Sequence, residues 1–330
     1  MSTVKWGILS TARINRLFVA GAHQATGVEL LAVASRNPER AEAYARENGI
    51  PRAHGSYEAL LEDPDVEAVY IPLPNSMHVE WSIRALEAGK HVLCEKPLSR
   101  RPHDVNRAFD VADRQDRLLM EAFMFRHHPQ TRRLTELIAQ GAIGRVRTIR
   151  AAFGFVASDP ANVRLSVTLD GGGLMDVGCY CVSAARLIAG EPERVSAEQT
   201  LGGDGVDVTF AALMRHRDDV LTHFDAGLAL ASRDLLEVTG DAGSLLVNDP
   251  WHCRNPGINL TQNDGATERI EIEKANSYRL EAENLSAAIR GEAEPLLGRA
   301  DALGQARAID ALYAAADDAR VMTLTSTHGL

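Results

Sequence analysis

Two short segments carry side chains suited to proton transfer. The first is Glu95-Lys96-Pro97, which follows a strand-like run from His91 to Cys94. A lysine at a strand's carboxyl end can hold a substrate hydroxyl by a charge-assisted hydrogen bond and lower its pKa. Lys-Pro on its own also occurs in plain loops. The second segment is Gly171-Gly172-Gly173-Leu174-Met175-Asp176-Val177-Gly178-Cys179-Tyr180. Its glycines suit a backbone held close to a ligand or in unusual φ/ψ. Asp176 and Tyr180 are four apart, so on a helix they share a face. A phenol and a carboxylate beside a lysine form a workable set for proton transfer, and the lysine's charge is expected to depress the tyrosine pKa toward neutrality.

A second kind of chemistry is suggested nearer the N-terminus. A dinucleotide site needs a tight turn where the first strand meets the N-terminus of a helix. That turn here reads Gly7-Ile8-Leu9-Ser10-Thr11-Ala12-Arg13-Ile14. Only the first glycine of G-x-G-x-x-G is present, with Leu9 and Ala12 at the other two positions. Ser10 and Thr11 still offer hydroxyls and N–H groups to a phosphate, though an ordinary strand-to-helix turn reads the same way. The end of the second strand is more informative. NAD sites commonly place Asp or Glu there for the ribose 2′-hydroxyl. This chain has Ser35-Arg36, with Arg40 one turn later. A guanidinium can bind a 2′-phosphate that a carboxylate would repel, which favours NADP and leaves NAD with lower preference. The competing reading is a pair of solvated arginines at a helix start.

These residues need elements to place them. The first 120 or so residues alternate strand and helix patterns: strands at Val4–Leu9, Val28–Ala34, Val66–Ile71, His91–Cys94 and Leu118–Ala122, and helices at Ala12–His23, Pro38–Asn48, Met77–Ala88 and Asp104–Arg114. Nearly continuous apolar strands alternating with helices imply an α/β fold with a doubly wound parallel sheet covered on both faces. After about Phe123 the pattern changes. A helix at Gln130–Gln140 precedes strand signals at Arg145–Val156, Arg194–Leu201, Asp207–Arg215, Leu221–Leu228, Asp234–Gly240 and Ser244–Val247. Several follow one another without helices, which points to an α+β domain with a large, mostly antiparallel open sheet. Helices at Ser277–Arg290 and Ala300–Ala315 close the chain. The expected division is 1–123 for nucleotide binding and 124–330 for substrate binding and oligomerisation.

Composition narrows the possibilities. The chain has 330 residues and a formal net charge of −10, which argues against general nucleic-acid binding. A local basic pocket for an anionic cofactor is compatible with that charge. The four cysteines lack metal or C-x-x-C spacing, so free thiols in a reducing compartment are expected. No apolar stretch approaches the roughly 20 residues that span a bilayer. With no signal-peptide pattern at the start, a cytoplasmic location is expected.

Taken in order, seven segments resemble the Gfo/Idh/MocA oxidoreductases, especially the branch containing dimeric dihydrodiol dehydrogenases and NADP-dependent D-xylose dehydrogenases. They are G-I-L-S-T-A-R-I at Gly7, A-S-R-N at Ala34, I-P-L-P-N-S-M-H at Ile71, C-E-K-P-L at Cys94, E-A-F-M-F-R-H-H-P-Q at Glu121, G-G-G-L-M-D-V-G-C-Y at Gly171 and N-S-Y-R-L-E-A-E-N at Asn276. The resemblance covers nearly the whole chain, and it implies roles. Lys96 contacts the reacting hydroxyl near the nicotinamide, Pro97 follows a cis peptide, Tyr180 is the general acid/base and Asp176 orients the substrate or the lysine. Arg36 binds the adenosine phosphate, Pro72, Asn75 and His78 line the cofactor groove beside Glu95, and Arg126 and Tyr278 are pocket residues, with Arg126 on the cofactor side. The implied substrate is sugar-like: an aldopyranose oxidised at C1, a trans-dihydrodiol, or a keto-sugar reduced in reverse. A redox sensor without catalysis would not need Lys96, Asp176 and Tyr180. The implied assembly is a homodimer or homotetramer through the second sheet. Where this branch often reads M-W-R-F, the chain has Met124-Phe125-Arg126-His127-His128. His127 is thereby expected to alter pocket polarity. No metal is expected, since the adjacent His127 and His128 rarely face one ion. The loop Ala157–Asp170 is expected to set specificity.

Overall fold

The computed structural model describes residues 3–318, so the extreme ends of the two expected ranges lie outside the described residues. The first half runs β1 (Val4–Leu9), α1 (Asn15–Ala22), β2 (Val28–Ala34), α2 (Pro38–Asn48), β3 (Arg52–His54), α3 (Tyr57–Leu61), β4 (Ala68–Ile71), α4 (His78–Glu87), β5 (His91–Glu95), α5 (Pro102–Gln115) and β6 (Leu119–Ala122). The strands form a parallel sheet of order β3-β2-β1-β4-β5-β6. Ala68–Ile71 and Val92–Cys94 are buried throughout because helices cover both faces. The order reverses between β1 and β4. That switch opens a crevice at the strands' carboxyl ends, where ligands bind in such sheets.

The second half continues with α6 (Pro129–Ala139), β7 (Val146–Val156), α7 (Cys179–Ala189), β8 (Arg194–Leu201), β9 (Asp207–Arg215), β10 (Leu221–Gly227), β11 (Ala229–Gly240), β12 (Gly243–Asn248), β13 (Gly257–Gln262), β14 (Thr267–Glu271), α8 (Ser277–Ile289) and α9 (Arg299–Asp317). Its eight strands are ordered β14-β13-β12-β11-β7-β10-β9-β8. Only the β7–β10 pair is parallel; β7 is central and meets β11 antiparallel on its other side. Strands such as β9 and β12 alternate buried and exposed residues, the pattern of a sheet with one covered face.

The tail does not stay with this sheet. α8 packs on α1, and α9 packs on α5 as well as on β8. Trp6 in β1 donates its indole N–H to Ser286 Oγ in α8 at 3.1 Å, and Ala302 and Ala306 of α9 join the core around β4 and β5. The last two helices therefore brace the first sheet against the second. β3, α3, α7, β13 and β14 are absent from the expectations drawn from sequence. All four cysteines are buried and free, and no helix among the described residues is long and apolar enough to cross a membrane.

Candidate active site

A cavity of about 830 Å³ lies between the sheets, and both sets of expected residues reach it. Ala12, Arg13 and Ile14 from the β1–α1 turn, Pro72, Asn75 and His78 after β4, and Glu95 and Lys96 after β5 line one part. Asp176, Tyr180 and Tyr278 come from the other half of the chain.

The β1–α1 turn is held from within. Ser10 has φ 126°, and its hydroxyl accepts from Ala12 N at 3.2 Å and reaches Pro72 O at 3.4 Å. Its carbonyl accepts from Asn15 Nδ2 at 2.7 Å. These bonds set Ala12, Arg13 and Ile14, just ahead of α1, at the crevice, an arrangement that fits a pyrophosphate at a helix N-terminus. Gly7 has a different job from the one expected. It lies inside β1, where an added Cβ would sit 2.7 Å from Leu60 Cδ2, so it is required by core packing and does not line the cavity. Ser35 is buried at the end of β2 and accepts from Asn37 N at 3.2 Å. Arg36 and Arg40 are exposed beyond it. Arg40 donates to Thr11 O at 3.3 Å, tying α2 to the turn.

At the end of β5 the Lys96–Pro97 bond is cis, as the resemblance implied. Glu95 accepts from Tyr70 Oη at 2.5 Å and from Lys96 N at 3.3 Å. Burial raises its pKa, against the pull of Lys96 and these donors. Lys96 Nζ donates to Asp176 O at 2.5 Å and lies 3.5 Å from Asp176 Oδ1. The two side chains are only 11% and 14% exposed, so they face the cavity rather than bulk solvent. Burial works against the ammonium charge, but Asp176, Cys179 and Glu95 outweigh it and raise the Lys96 pKa. Burial likewise opposes the Asp176 carboxylate, yet Lys96 and Arg164 hold its pKa below the usual range.

Tyr180 requires a correction. Lys96 Nζ sits 4.8 Å from the centre of its ring rather than at its oxygen. The hydroxyl donates to Met124 Sδ at 3.6 Å, and the ring is packed edge-on against Phe123 and Phe153 at 5.6 and 5.3 Å. Burial, then Glu95, Cys179 and Asp176, push the phenol pKa well above its ordinary value instead of toward neutrality. The helix carrying it also differs: Leu174–Gly178 is a π-turn that runs into α7, so Asp176 and Tyr180 reach the cavity from two kinds of helix. Just before it, Gly172 has φ 121°, and a Cβ there would lie 2.2 Å from Asp207 Oδ1. Asp207 accepts from Leu174 N at 2.6 Å and from Tyr313 Oη at 2.8 Å, which fixes the start of the turn.

His78 is a buried bracket. Its Nδ1 is 2.9 Å from Pro97 O and its Nε2 is 2.8 Å from Leu73 O. Burial lowers its pKa, and a neutral imidazole donates from one nitrogen only. One contact is thus a hydrogen bond and the other a close approach.

Arg126 and His127, expected at the cavity, also stand away from it. Arg126 turns into a buried charge cluster, donating to Ser183 Oγ at 3.1 Å and Asp301 Oδ1 at 3.4 Å, with Arg186 and Glu121 nearby. Glu121 Oε1 accepts from Leu98 N at 2.7 Å, and burial lifts its pKa to about 8. His127 points inward, its Nε2 buried, and burial beside Arg126 brings its pKa down to about 3. His128 caps α6 by accepting from Gln130 N at 3.0 Å, so the adjacent histidines serve different structural ends.

The sequence reading missed Arg164, whose Nε donates to Asp176 Oδ2 at 2.7 Å. It also missed the far wall formed by Phe153, Asp234, Asp249 and His252. Asp234, Asp249 and His252 bring potential ligand atoms within 4.8 Å of one another. The signal for Arg164 was a lone charge between Val163 and Leu165 in the loop; the far wall joins two strands and a turn, and adjacency in sequence does not reveal it.

The fold and the paired halves define a class that comparison names. Residues 4–123 match the oxidoreductase family with an NAD-binding Rossmann fold, and residues 131–246 match the GFO/IDH/MocA C-terminal domain. The chain belongs to the Gfo/Idh/MocA oxidoreductases. It is 38% identical over 323 residues to a D-xylose 1-dehydrogenase (NADP(+)) of Haloferax volcanii, covering 97% of this chain and 99% of that one. A trans-1,2-dihydrobenzene-1,2-diol dehydrogenase of Xenopus laevis is 38% identical over 217 residues, 64% of this chain and 65% of that one. In structure it is similar to KijD10, a 3-ketoreductase from Actinomadura kijaniata in complex with NADP and TDP-benzene. The TM-score there is 0.90 at 32% identity, over 95% of this chain and 98% of the other.

Proposed function

We propose that this oxidoreductase uses NADP, and NAD less well, to move a hydride between nicotinamide and a sugar or sugar-like secondary alcohol, with an aldopyranose such as D-xylose oxidised at C1 as the favoured substrate. The observation that carries the reading is one cavity holding Lys96, Asp176 and Tyr180 together with Ala12, Arg13 and Ile14 of the turn that leads into α1. The carboxylates and imidazole of the far wall suit the hydroxyls of a sugar. The NADP preference is supported by the exposed Arg36 at the end of β2 and by the cofactor of the xylose dehydrogenase relative.

The cofactor, when bound, supplies the hydride acceptor or donor. Lys96 donates to the reacting oxygen and stabilises charge growing on it. Asp176 holds Lys96 in place; Tyr180 as phenol gives its proton to the substrate oxygen in reduction, and as phenolate, having first lost its proton to solvent, takes the hydroxyl proton in oxidation. Segment 1–123 holds the cofactor, and 124–330 supplies the substrate wall, with α8 and α9 returning to brace the first half. Exposed Leu201, Leu213 and Leu246 on the second sheet favour a homodimer or homotetramer through it. A cytoplasmic location fits the free thiols.

A second reading, oxidation of a trans-dihydrodiol, is favoured by Phe153 and Tyr180, which give the cavity an aromatic flank. Formation of reduced nicotinamide, followed by absorbance with NADP and then NAD, tests both. The panel holds D-xylose, D-glucose, inositols and a trans-dihydrodiol. Turnover with one aldose and NADP supports the first reading. Silence across the panel with NADP bound would leave keto-sugar reduction or a redox sensor.

A further inference from the structure

Asp176 carries two cations, and they hold it unequally. Lys96 Nζ is 2.5 Å from the Asp176 carbonyl but 3.5 Å from its carboxylate. Arg164 Nε is 2.7 Å from Oδ2. The short charged contact of the carboxylate therefore belongs to the arginine, and the lysine's short contact is to a neutral carbonyl.

Arg164 is delivered by a loop tied to both halves of the molecule. Asp170 pairs with Arg101 at 2.9 Å, and its carbonyl accepts from Asn75 Nδ2 at 2.7 Å, both on the first half. Val167 N donates to Asp204 Oδ2 at 3.1 Å in the second half. The Arg164 carbonyl itself accepts from Gly172 N at 2.8 Å, locking the loop to the glycine run that precedes Asp176.

We propose that Arg164 is a positioning residue: it occupies the Asp176 carboxylate so that Lys96 is not drawn into a close ion pair and keeps its ammonium turned to the reacting oxygen. The inference rests on the function proposed above. Without Arg164, the carboxylate has Lys96 as its nearest cation, and the two would collapse together. The charged and titratable groups lining the cavity are then Arg13 ahead of α1, His78 in α4, Glu95 and Lys96 at the end of β5, Asp176 in the π-turn, Tyr180 in α7, Arg233, Asp234, Asp249, His252 and Arg254 on the far wall, and Tyr278 in α8. With Arg164 gone and Lys96 drawn to Asp176, one cation fewer acts on Tyr180, so it would give up its proton less readily.

The test compares Arg164→Gln with Arg164→Lys, measuring kcat and KM for alcohol oxidation from pH 6 to 10. Arg164→Gln is expected to lower kcat about 10- to 100-fold, the size of a lost positioning contact. The acid limb of its kcat profile is expected to move to higher pH by roughly one pH unit. Arg164→Lys should restore most of kcat and return the limb toward its original position. A limb that stays put in Arg164→Gln, or moves equally in both variants, overturns the inference. The underlying reading fails by a different result: Lys96→Ala and Tyr180→Phe turning over like wild type.

Discussion

At the groove end, the cavity is walled by Ala12, Arg13 and Ile14 and by Pro72, with Arg36 and Arg40 standing exposed beyond it. At the reaction end, Lys96, Asp176 and Tyr180 are enclosed, and every charge has a partner or a near neighbour. In the proposed function, the groove end works with backbone N–H groups and water-facing guanidinium groups, which would recognise an anion without changing its chemistry. The reaction end keeps charges out of water, where each acts strongly on its neighbours. Substitution at one end should therefore alter which cofactor is used, and at the other whether the reaction proceeds.

The largest effect expected is at the reaction end. Lys96→Ala and Tyr180→Phe should each cut kcat by about 10²- to 10⁴-fold, the usual worth of a positioned acid or base. NADP binding, followed by fluorescence titration, should be nearly unchanged; an equal loss of binding would dissolve the contrast between the ends. Next, Arg36→Asp should change the ratio of KM for NADP to KM for NAD by about 10- to 100-fold, the scale of a charge-assisted contact turned repulsive. An unchanged ratio would remove Arg36 from the 2′-phosphate. Combining Arg36→Asp with Tyr180→Phe should give additive losses in transition-state free energy, because the sites share no partner.

Smaller effects concern the scaffold. Gly172→Ala places a methyl group against Asp207 in a backbone conformation that L residues rarely adopt, and should cost about 1–3 kcal/mol. Thermal unfolding measures it, and an unaltered Tm would show that the glycine run can shift. The last prediction is a pH slope. The Glu121 carboxyl loses its proton near pH 4.5 when unfolded but only at about 8 when folded. As pH rises between those values the unfolded chain holds fewer protons, so this residue lowers stability progressively across that window and adds no further change above it. Glu121→Gln should flatten the fall in denaturant midpoint between pH 5 and 8; a slope identical to wild type would mean that Glu121 ionises in the folded protein.

Much of this arrangement was legible in the sequence because it follows from strand ends and glycines. β5 could be placed from its apolar run, which put Glu95 and Lys96 at the crevice. The Gly171–Tyr180 segment drew notice through residue types alone. What stayed hidden depends on three-dimensional closure. Arg126 was read as a pocket residue, yet Ser183 and Asp301, distant in sequence, draw it inward. One neighbour, Lys96, suggests a lowered Tyr180 pKa from sequence, whereas burial first, and then Glu95, Cys179 and Asp176, raise it. β13 and β14 are short and rich in polar residues; β13 pairs along the edge of β12, and β14 along that of β13.

The π-turn at Leu174–Gly178 holds one residue more than an ordinary helical turn. Its length is therefore a setting as much as its composition. Loss of a single residue here would let the turn tighten into continuous α-helix, which keeps the flanking segments in register and changes the facing of the side chains inside the turn, Asp176 among them. Asp176 would swing away from Lys96 with no functional side chain altered. Point substitution can probe this stretch one contact at a time, whereas a change of reading length would dismantle the site in one step.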